Sequence, residues 1–216
     1  MKDITNILLV LKTGGRYSVA DVMLLVENVF KYTAGVRIYC LTDLVSEKVI
    51  FKDITFIPIP SSYPGWWSKL WLFSPEFEYL RPFLYMDLDT LINGDIASIF
   101  PTAPELFYTI RDFYQPQNLA SGIMWIPADS NKVEKIWNEW EKNPFKHIKT
   151  FKGDQDFIGR VVKADSYFSN ELVVSFKPKR RWLLERPKAP IVCFHGVPSI
   201  WEASESVVWV NDYIKG

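Results

Sequence analysis

Short apolar runs that alternate with polar loops and amphipathic segments predict an α/β fold. Buried-strand patterns cover Ile4 to Leu11, Val36 to Leu41 and Phe83 to Met86. Such continuous runs are typical of strands covered on both faces of a mostly parallel sheet. The alternation with prolines in residues 54–59 places that strand near an edge of the sheet. Four further strands are predicted, at residues 106–110, 122–126, 173–176 and 191–194.

Helical periodicity separates these strands. Ser18, with Asp21 three residues later, resembles a capping box and predicts a helix that runs through Phe30 and ends before Gly35. The clearest helix covers Ser130 to Asn143, and we expect its apolar stripe to be core: Val133, Ile136, Trp137 and Trp140.

A turn is predicted at residues 61–65, followed by a short helix at residues 66–73 with Lys69 near the rim. Another short helix is predicted from Gly153 onward. No internal repeat or linker interrupts residues 1–216. The pattern therefore predicts one domain, with a central mostly parallel sheet flanked by helices.

Composition narrows the function classes. Lys plus Arg and Asp plus Glu both number 25, so the formal net charge is +0 and general nucleic-acid binding is not expected. Cys40 and Cys193 each lie in an apolar run, which favours buried thiols in a reducing compartment. The apolar stretch Ile7 to Leu11 is too short for a bilayer span or a signal peptide. We therefore expect a cytoplasmic protein with no integral membrane segment, in an oligomeric state that the sequence leaves open.

The strand Phe83 to Met86 ends in the acidic pair Asp87-Leu88-Asp89. Extended backbone projects the two carboxylates from one face and returns Leu88 to the core. Neighbouring carboxylates repel each other unless a cation or a proton lies between them, and a divalent metal with oxygen ligands meets that need. The alternative is a capping turn that carries two Asp residues by chance.

Polar residues also follow other strands, at the Lys12 to Gly15 loop, Asp43 and His195-Gly196. Ligands of open α/β sheets bind outside the carboxyl ends of the strands, so these loops are expected to meet at one crevice. Asp87, Asp89 and His195 would form a metal cradle with open positions for phosphate oxygens. The imidazole favours Mn²⁺ over Mg²⁺, although a lone histidine at a strand end is more often structural.

Four motifs follow one another along the chain: Tyr85-Met86-Asp87-Leu88-Asp89-Thr90, Ala120-Ser121-Gly122-Ile123-Met124, Gly153-Asp154-Gln155-Asp156 and Cys193-Phe194-His195-Gly196. They resemble the motif set of GT-A-fold, nucleotide-sugar-dependent glycosyltransferases, particularly the glycogenin/galactosyltransferase-like group. The chain length and the opening Leu11-Lys12-Thr13-Gly14-Gly15 resemble small chlorovirus and phage enzymes, which would place the protein in a host cytoplasm. The resemblance covers nearly the whole chain and implies a single GT-A-like, Rossmann-like domain.

The resemblance implies metal-dependent transfer of a sugar from a UDP-sugar to a glycan or another hydroxyl acceptor, with a lean toward retention. It assigns the metal to Asp87, Asp89 and His195, and the reacting sugar to Asp154, Gln155 and Asp156. The remaining donor contacts it implies are Lys12, Thr13, Gly14, Tyr17 and Asp43 at the base, Lys69 at the diphosphate or sugar, and Leu88, Ser121, Gly122 and Gly196 along the pocket.

One departure concerns the diphosphate. Related enzymes often carry a Lys shortly after the His-Gly pair, whereas this chain has Val197-Pro198-Ser199-Ile200. Either Lys69 or a basic residue such as Arg181 compensates, or donor affinity is modest. The basic cluster at residues 177–181 is otherwise a solvated loop, an anion-binding segment or a membrane-surface contact.

Two other functions remain open. The pattern Asp87-Leu88-Asp89-Thr90-Leu91 approaches the nucleophile motif of haloacid-dehalogenase-like phosphatases, but that strand usually opens the chain and here begins only at Phe83. A non-catalytic nucleotide-sugar-binding module would keep the acidic pair and the base loop, but it would have no use for Asp154, Gln155 and Asp156.

Overall fold

The computed structural model, which describes residues 4–60 and 62–215, contains a large mixed sheet and a small one. The large sheet has the order β3-β4-β2-β1-β5-β8-β7-β9, and β10-β11-β6 form the small sheet. The strands are β1 (Thr5–Leu11), β2 (Val36–Thr42), β3 (Val49–Phe51), β4 (Ile54–Pro58), β5 (Phe83–Met86), β6 (Thr90–Ile92), β7 (Tyr108–Arg111), β8 (Leu119–Ile126), β9 (Ser166–Tyr167), β10 (Val173–Ser175) and β11 (Ile191–Cys193).

The middle of the large sheet is parallel, as predicted. Strands β4, β2, β1 and β5 pair in parallel, and β8 then pairs antiparallel with β5. The carboxyl ends of β1, β2 and β5 therefore meet the early residues of β8 at one edge, where side chains from both directions can share a site.

Apolar side chains cover both faces of this sheet. In β1, Ile7 and Leu9 face the buried stripe of one helix, while Leu8 joins a second core on the opposite face. This alternation explains the continuous apolar strand patterns, because each successive side chain enters a different core layer.

The helices are α1 (Val19–Tyr32), α2 (Asn131–Lys142), α3 (Pro144–Thr150), α4 (Asp154–Val161), α5 (Ile200–Ser204) and α6 (Val208–Lys215). The capping box of Ser18 and Asp21 begins α1, as predicted. In α2 the buried residues are the four predicted from its periodicity. The predicted helix from Gly153 is α4, in which Gly153 is the N-cap.

The predicted short helix at residues 66–73 is a 3₁₀ segment, Gly65–Phe73. Every residue from Trp67 to Phe73 is buried, so the placement of Lys69 near the rim was wrong. Two carboxylates at the base of a pocket neutralise the Lys69 ammonium, which is why it can be buried at this position.

The sequence pattern did not predict several short elements: the edge strand β3, the strands β6 and β9, and the helices α3, α5 and α6. Strand β4 lies next to the edge, with β3 outside it. The predicted turn at residues 61–65 includes Ser61, which lies outside the described residues. Cys40 and Cys193 are buried free thiols, as expected. No helix in the described ranges has the length and apolar character to cross a membrane.

Candidate active site

A cavity of about 590 Å³ opens where the strand ends meet. The β5–β8 pairing continues past the strand, because the Asp87 N–H donates to the Gly122 carbonyl at 2.8 Å. A Cβ on Gly122 would lie 3.3 Å from an Asp87 carboxylate oxygen, so this glycine leaves room for the carboxylate. Leu88 packs in the core between the two acidic residues, as predicted.

A buried ion network forms the floor of the cavity. The Lys69 ammonium lies 2.9 Å from an Asp87 oxygen and 3.1 Å from Asp154 Oδ2. Ser121 donates to Asp154 Oδ2 at 2.6 Å, and the Tyr85 hydroxyl donates to Asp87 Oδ1. The network therefore joins residues of β5, β8, α4 and the 3₁₀ segment.

The charged groups of this network change one another's pKa values. Burial acts to lower the pKa of Lys69, but Asp154 and Asp87 outweigh it and raise that pKa. Burial raises the pKa of Asp87 to about 6, opposed by Lys69 and reinforced by Asp89 and Asp154. The floor holds more negative than positive charge, and this favours ligands that bring a cation.

Asp89 has a different hydrogen-bond partner from the residues of this network. The Tyr17 hydroxyl, from the loop after β1, donates to Asp89 Oδ2 at 3.1 Å. The Asp89 carbonyl accepts the Phe194 N–H at 2.9 Å and so ties the acidic turn to the end of β11. These contacts bring the loop after β1 and the His195-Gly196 turn to the same wall of the cavity.

His195 occupies an unusual backbone position, with φ of +23° followed by +86° at Gly196. A non-glycine residue at positive φ is uncommon and persists only where surrounding contacts hold it. Here the imidazole stacks on Phe113 at 5.1 Å, and its Nε2 lies 2.6 Å from Ser175 Oγ. Burial, assisted by Lys177, lowers the pKa of His195, so the ring is neutral at pH 7.

Two cations contact the carbonyls of this turn. Lys177 Nζ donates to the His195 carbonyl at 2.7 Å and to the Val197 carbonyl at 2.5 Å. Arg16 donates to the Gly196 carbonyl at 2.7 Å and pairs with Glu202 at 2.5 Å. The structure thus places two cations from distant segments at the His195-Gly196 turn, whereas Arg181, one of the basic residues considered for the diphosphate, is exposed and does not line the cavity.

The loop after β1 is tied to β2. Asp43 accepts from the Lys12 ammonium at 2.5 Å and from the Thr13 N–H and hydroxyl, each at 2.8 Å. Burial acts to raise the pKa of Asp43, but these hydrogen bonds outweigh it and lower that pKa. The carboxylate of Asp43 therefore fixes the shape of the loop.

The cavity collects most of the predicted site residues. Those on its wall are Lys12, Tyr17, Lys69, Asp87, Leu88, Asp89, Ser121, Gly122, Asp154, Gln155, His195 and Gly196. Thr13, Gly14, Asp43 and Asp156 lie outside the residues that line it, and Asp156 is exposed.

Sequence reasoning missed several residues at the cavity. Tyr85 looked like part of an apolar strand, and its hydroxyl reaches Asp87 because it points the same way along β5. Asp112 Oδ2 accepts a hydrogen bond from Gln155 Nε2 at 3.1 Å, yet Asp112 lies in a loop without a motif. Arg16 stood beside the predicted Tyr17, and a search for cations near the glycine loop would have found it.

The predicted metal ligands have other partners. Among residues 4–60 and 62–215, no group of three or more His, Cys, Asp and Glu side chains is arranged to hold a metal ion. The Asp87 carboxylate pairs with Lys69 and accepts a hydrogen bond from the Tyr85 hydroxyl. The Asp89 carboxylate accepts a hydrogen bond from the Tyr17 hydroxyl. If His195 donates through Nε2 to Ser175, Nδ1 keeps its lone pair, the usual arrangement in metal-binding histidines. The donor chemistry of Asp89 and His195 fits a divalent transition metal.

Comparisons with known proteins identify the fold. No protein-family model matches the chain, and neither does any curated protein sequence. The glycosyltransferase GlyE of Streptococcus pneumoniae TIGR4 matches with a TM-score of 0.69 and 13% identity over 99% of this chain and 60% of GlyE. The bifunctional glycosyltransferase WbbM matches with a TM-score of 0.69 and 11% identity over 100% of this chain and 50% of WbbM.

Mouse xyloside xylosyltransferase 1 matches with a TM-score of 0.53 and 10% identity over 90% of this chain and 98% of the mouse structure. The chain thus spans only 60% and 50% of the GlyE and WbbM chains. At these identities the likeness defines the architecture, and the predicted GT-A-like fold is confirmed. The resemblance to viral and phage enzymes stays a prediction.

Proposed function

We propose that this protein is a glycosyltransferase that moves a sugar from a nucleotide-sugar donor to a hydroxyl group of an acceptor. The observation that carries this proposal is the bridge of buried Lys69 between Asp87 and Asp154, at the floor of a cavity in a glycosyltransferase fold. The ion network places a cation and carboxylates where a charged leaving group and a sugar can meet.

The diphosphate would lie toward the His195-Gly196 turn. Lys177 uses two of its three ammonium donors on backbone carbonyls, which leaves one N–H for a phosphate oxygen. Arg16 lines the cavity beside the same turn. Phosphate groups form strong, charge-assisted hydrogen bonds with such cations.

The base would lie along the loop from Lys12 to Tyr17. Asp43 holds this loop in place, and Lys12 and Tyr17 face the cavity. We infer that the donor is a UDP-sugar, because a pocket built from short loops suits a pyrimidine better than a purine.

The sugar would lie over Lys69, Ser121 and Asp154. In the transfer, the bond between C1 and the diphosphate oxygen breaks and its electron pair remains on the leaving diphosphate. The acceptor oxygen forms the new bond to C1, and its proton passes to an oxygen of the departing diphosphate. A carboxylate or amide oxygen beside C1 would stabilise the positive charge that develops on the sugar, and Asp154 and Gln155 supply these groups.

A divalent metal belongs to the proposal. Asp89 and His195 would hold it, next to Asp87, and Mn²⁺ suits the mixed oxygen and nitrogen donors better than Mg²⁺. When bound, it supplies positive charge that stabilises the departing diphosphate. Retention of configuration is the outcome that the Asp154-Gln155-Asp156 resemblance favours.

A hydrolysis assay tests the function directly. The purified protein is incubated with Mn²⁺ and a panel of UDP-sugars, and separately with p-nitrophenyl phosphate. We expect release of UDP from at least one donor and no phosphatase activity. Phosphate release from p-nitrophenyl phosphate alone would support the phosphatase alternative, and UDP-sugar binding without turnover would support a binding module.

The metal is tested by calorimetry with UDP and Mn²⁺. Asp89→Asn and His195→Ala should each abolish Mn²⁺-dependent UDP binding, whereas the exposed Asp156→Asn should bind as the wild type does. Unchanged affinity in both site variants would remove the metal from the proposal and leave glycosyl transfer to be judged by the hydrolysis assay.

A further inference from the structure

Two aromatic side chains at the cavity are left exposed by the fold. Trp66 is 61% exposed and Tyr114 is 44% exposed, and both line the cavity. The neighbouring Trp67 is buried and stacks on Trp140 at 5.4 Å with an angle of 11°. The core is therefore filled without Trp66, whose indole loses the stabilisation that burial would bring.

The indole of Trp66 lies beside the beginning of α4. Its Nε1 is 3.6 Å from the position that a Cβ on Gly153 would occupy. Asp154 and Gln155, the next two residues, face the cavity. An exposed flat apolar surface thus borders the polar groups proposed to hold the reacting sugar.

Tyr114 is held firmly in place. Its ring packs edge-on against His195 at 5.4 Å, and the Arg180 guanidinium lies over the ring at 5.7 Å. Its backbone N–H donates to Asp112 Oδ1 at 2.8 Å. A side chain whose ring contacts two neighbours and whose backbone is held by a third loses little freedom on binding a ligand.

A polar strip connects the two aromatic residues. Gln155 Nε2 donates to Asp112 Oδ2 at 3.1 Å, which links the start of α4 to the loop of Tyr114. The strip presents carboxylate and amide oxygens, which accept hydrogen bonds from hydroxyl groups and repel anions. The cations Arg16 and Lys177 lie at the His195-Gly196 turn, and the Arg180 guanidinium lies over the Tyr114 ring, at the end of the strip away from Trp66.

We propose that the surface between Trp66 and Tyr114 binds a neutral saccharide, the acceptor of the transfer. A sugar has an apolar face that can stack on the indole and a hydroxyl rim that can donate to Gln155 and Asp112. An anionic ligand would meet the Asp112 carboxylate here, and a purely apolar one would desolvate Gln155 and Asp112 without giving either a new hydrogen bond. The acceptor role rests on the proposed function, whereas saccharide binding stands on this surface alone.

The test follows the indole N–H of Trp66 by NMR in ¹⁵N-labelled protein, with the signal assigned by its loss in Trp66→Phe. The probes are methyl β-D-galactoside, methyl α-D-glucoside, methyl β-D-xyloside and lactose, with phenol and pyrophosphate as contrasts. We expect at least one glycoside to shift the Trp66 signal, and neither contrast to do so.

Affinity is then compared among variants. Trp66→Ala should weaken binding of that glycoside by roughly three- to tenfold, the range expected for losing one stacked ring. Tyr79→Ala, which removes an aromatic residue that is 66% exposed and outside the cavity lining, should bind as the wild type does. UDP affinity should change by less than about twofold in Trp66→Ala, because the nucleotide uses the other side of the cavity.

The outcomes separate the two proposals. If no glycoside binds, or if binding leaves the Trp66 signal unmoved, the saccharide surface is refuted even where UDP-sugar hydrolysis is intact. A shift with phenol but with none of the sugars would also refute it and indicate an apolar partner. Glycoside binding in a protein that hydrolyses no donor would refute the transferase and retain the surface.

Discussion

The ammonium of Lys69 lies within 3.1 Å of the carboxylates of both Asp87 and Asp154, and its side chain is only 6% exposed. These acids come from the end of β5 and the beginning of α4. One buried cation therefore holds together three segments that are remote in sequence, and removing it would leave two close carboxylates without their shared partner.

Replacement of Lys69 should therefore destabilise the fold. We expect Lys69→Met to lower the free energy of unfolding by about 3–5 kcal/mol, because it leaves the buried carboxylates without a cation. Urea denaturation monitored by circular dichroism measures the change. Lys142→Met is the matched control, since its pair with Glu139 is exposed and its loss should leave the free energy of unfolding nearly unchanged. Equal stability of Lys69→Met and wild type would contradict the structural role of the bridge.

Asp154 and Asp156 should differ in their effect on turnover, although they stand two residues apart. Asp154 is buried against Lys69 and Ser121, whereas Asp156 is exposed. Asp154→Asn should lower the rate of UDP-sugar turnover by about two to four orders of magnitude, with little change in UDP affinity. Asp156→Asn should retain a near-normal rate. An equal loss of activity in the two variants would contradict the prediction that only the buried Asp154 takes part in turnover.

Lys177 should contribute to phosphate binding. Lys177→Gln keeps a hydrogen-bond donor for the turn carbonyls but removes the charge, and should weaken binding of pyrophosphate and UDP by roughly tenfold. Uridine, which has no phosphate, should bind equally well to both proteins in the same calorimetric titrations. Arg181→Gln removes a nearby exposed charge and should leave all three affinities unchanged. Equal loss for uridine and UDP would show that Lys177 only supports the turn.

The stability of the fold should depend on the ionisation of Asp87. Its pKa is raised to about 6, so the folded protein binds this proton more tightly than the unfolded chain does. Stability from this group is therefore full at low pH and is lost as pH rises through about 6. Because the side chain is 31% exposed, we expect the loss to be about 1–2 kcal/mol.

Urea denaturation of the wild type and Asp87→Asn at several pH values measures this dependence. The wild type should gain stability relative to the variant when the pH falls from 7.5 to 5, since the variant has no proton to bind at this position. A difference that stays constant across this range would show that Asp87 keeps an ordinary pKa in the folded protein.

Local signals explain which parts of the fold could be predicted. The capping box that begins α1 and the apolar stripe of α2 depend on neighbouring residues only, and both were predicted correctly. The segment Gly65–Phe73 is buried almost all round, so its pattern has no polar face to reveal a 3₁₀ conformation or the burial of Lys69.

Long-range contacts explain what was missed at the site. The partner carboxylate Asp154 lies far along the chain from Lys69, and Lys177 reaches the His195-Gly196 turn from another strand end. Strand β6 is only three residues long and directly follows the acidic turn, so it could not be distinguished from a continuing loop. Such contacts depend on the topology of the sheets, and they produce no periodic pattern in the sequence.

Strand β11 follows the other strands of the described residues along the chain, and its end completes the cavity. It pairs with β6, which directly follows the acidic turn, and its end supplies His195 and Gly196 to the wall. A ribosome-bound chain that has not yet released residues 191–196 therefore lacks the His195-Gly196 turn that Arg16 and Lys177 contact, although β1, β2 and β5 are already available to pair. Domains fold as cooperative units during translation, so the proposed sugar transfer would begin only when β11 has docked. Enzymatic activity would then report completed folding in a cell-free translation reaction.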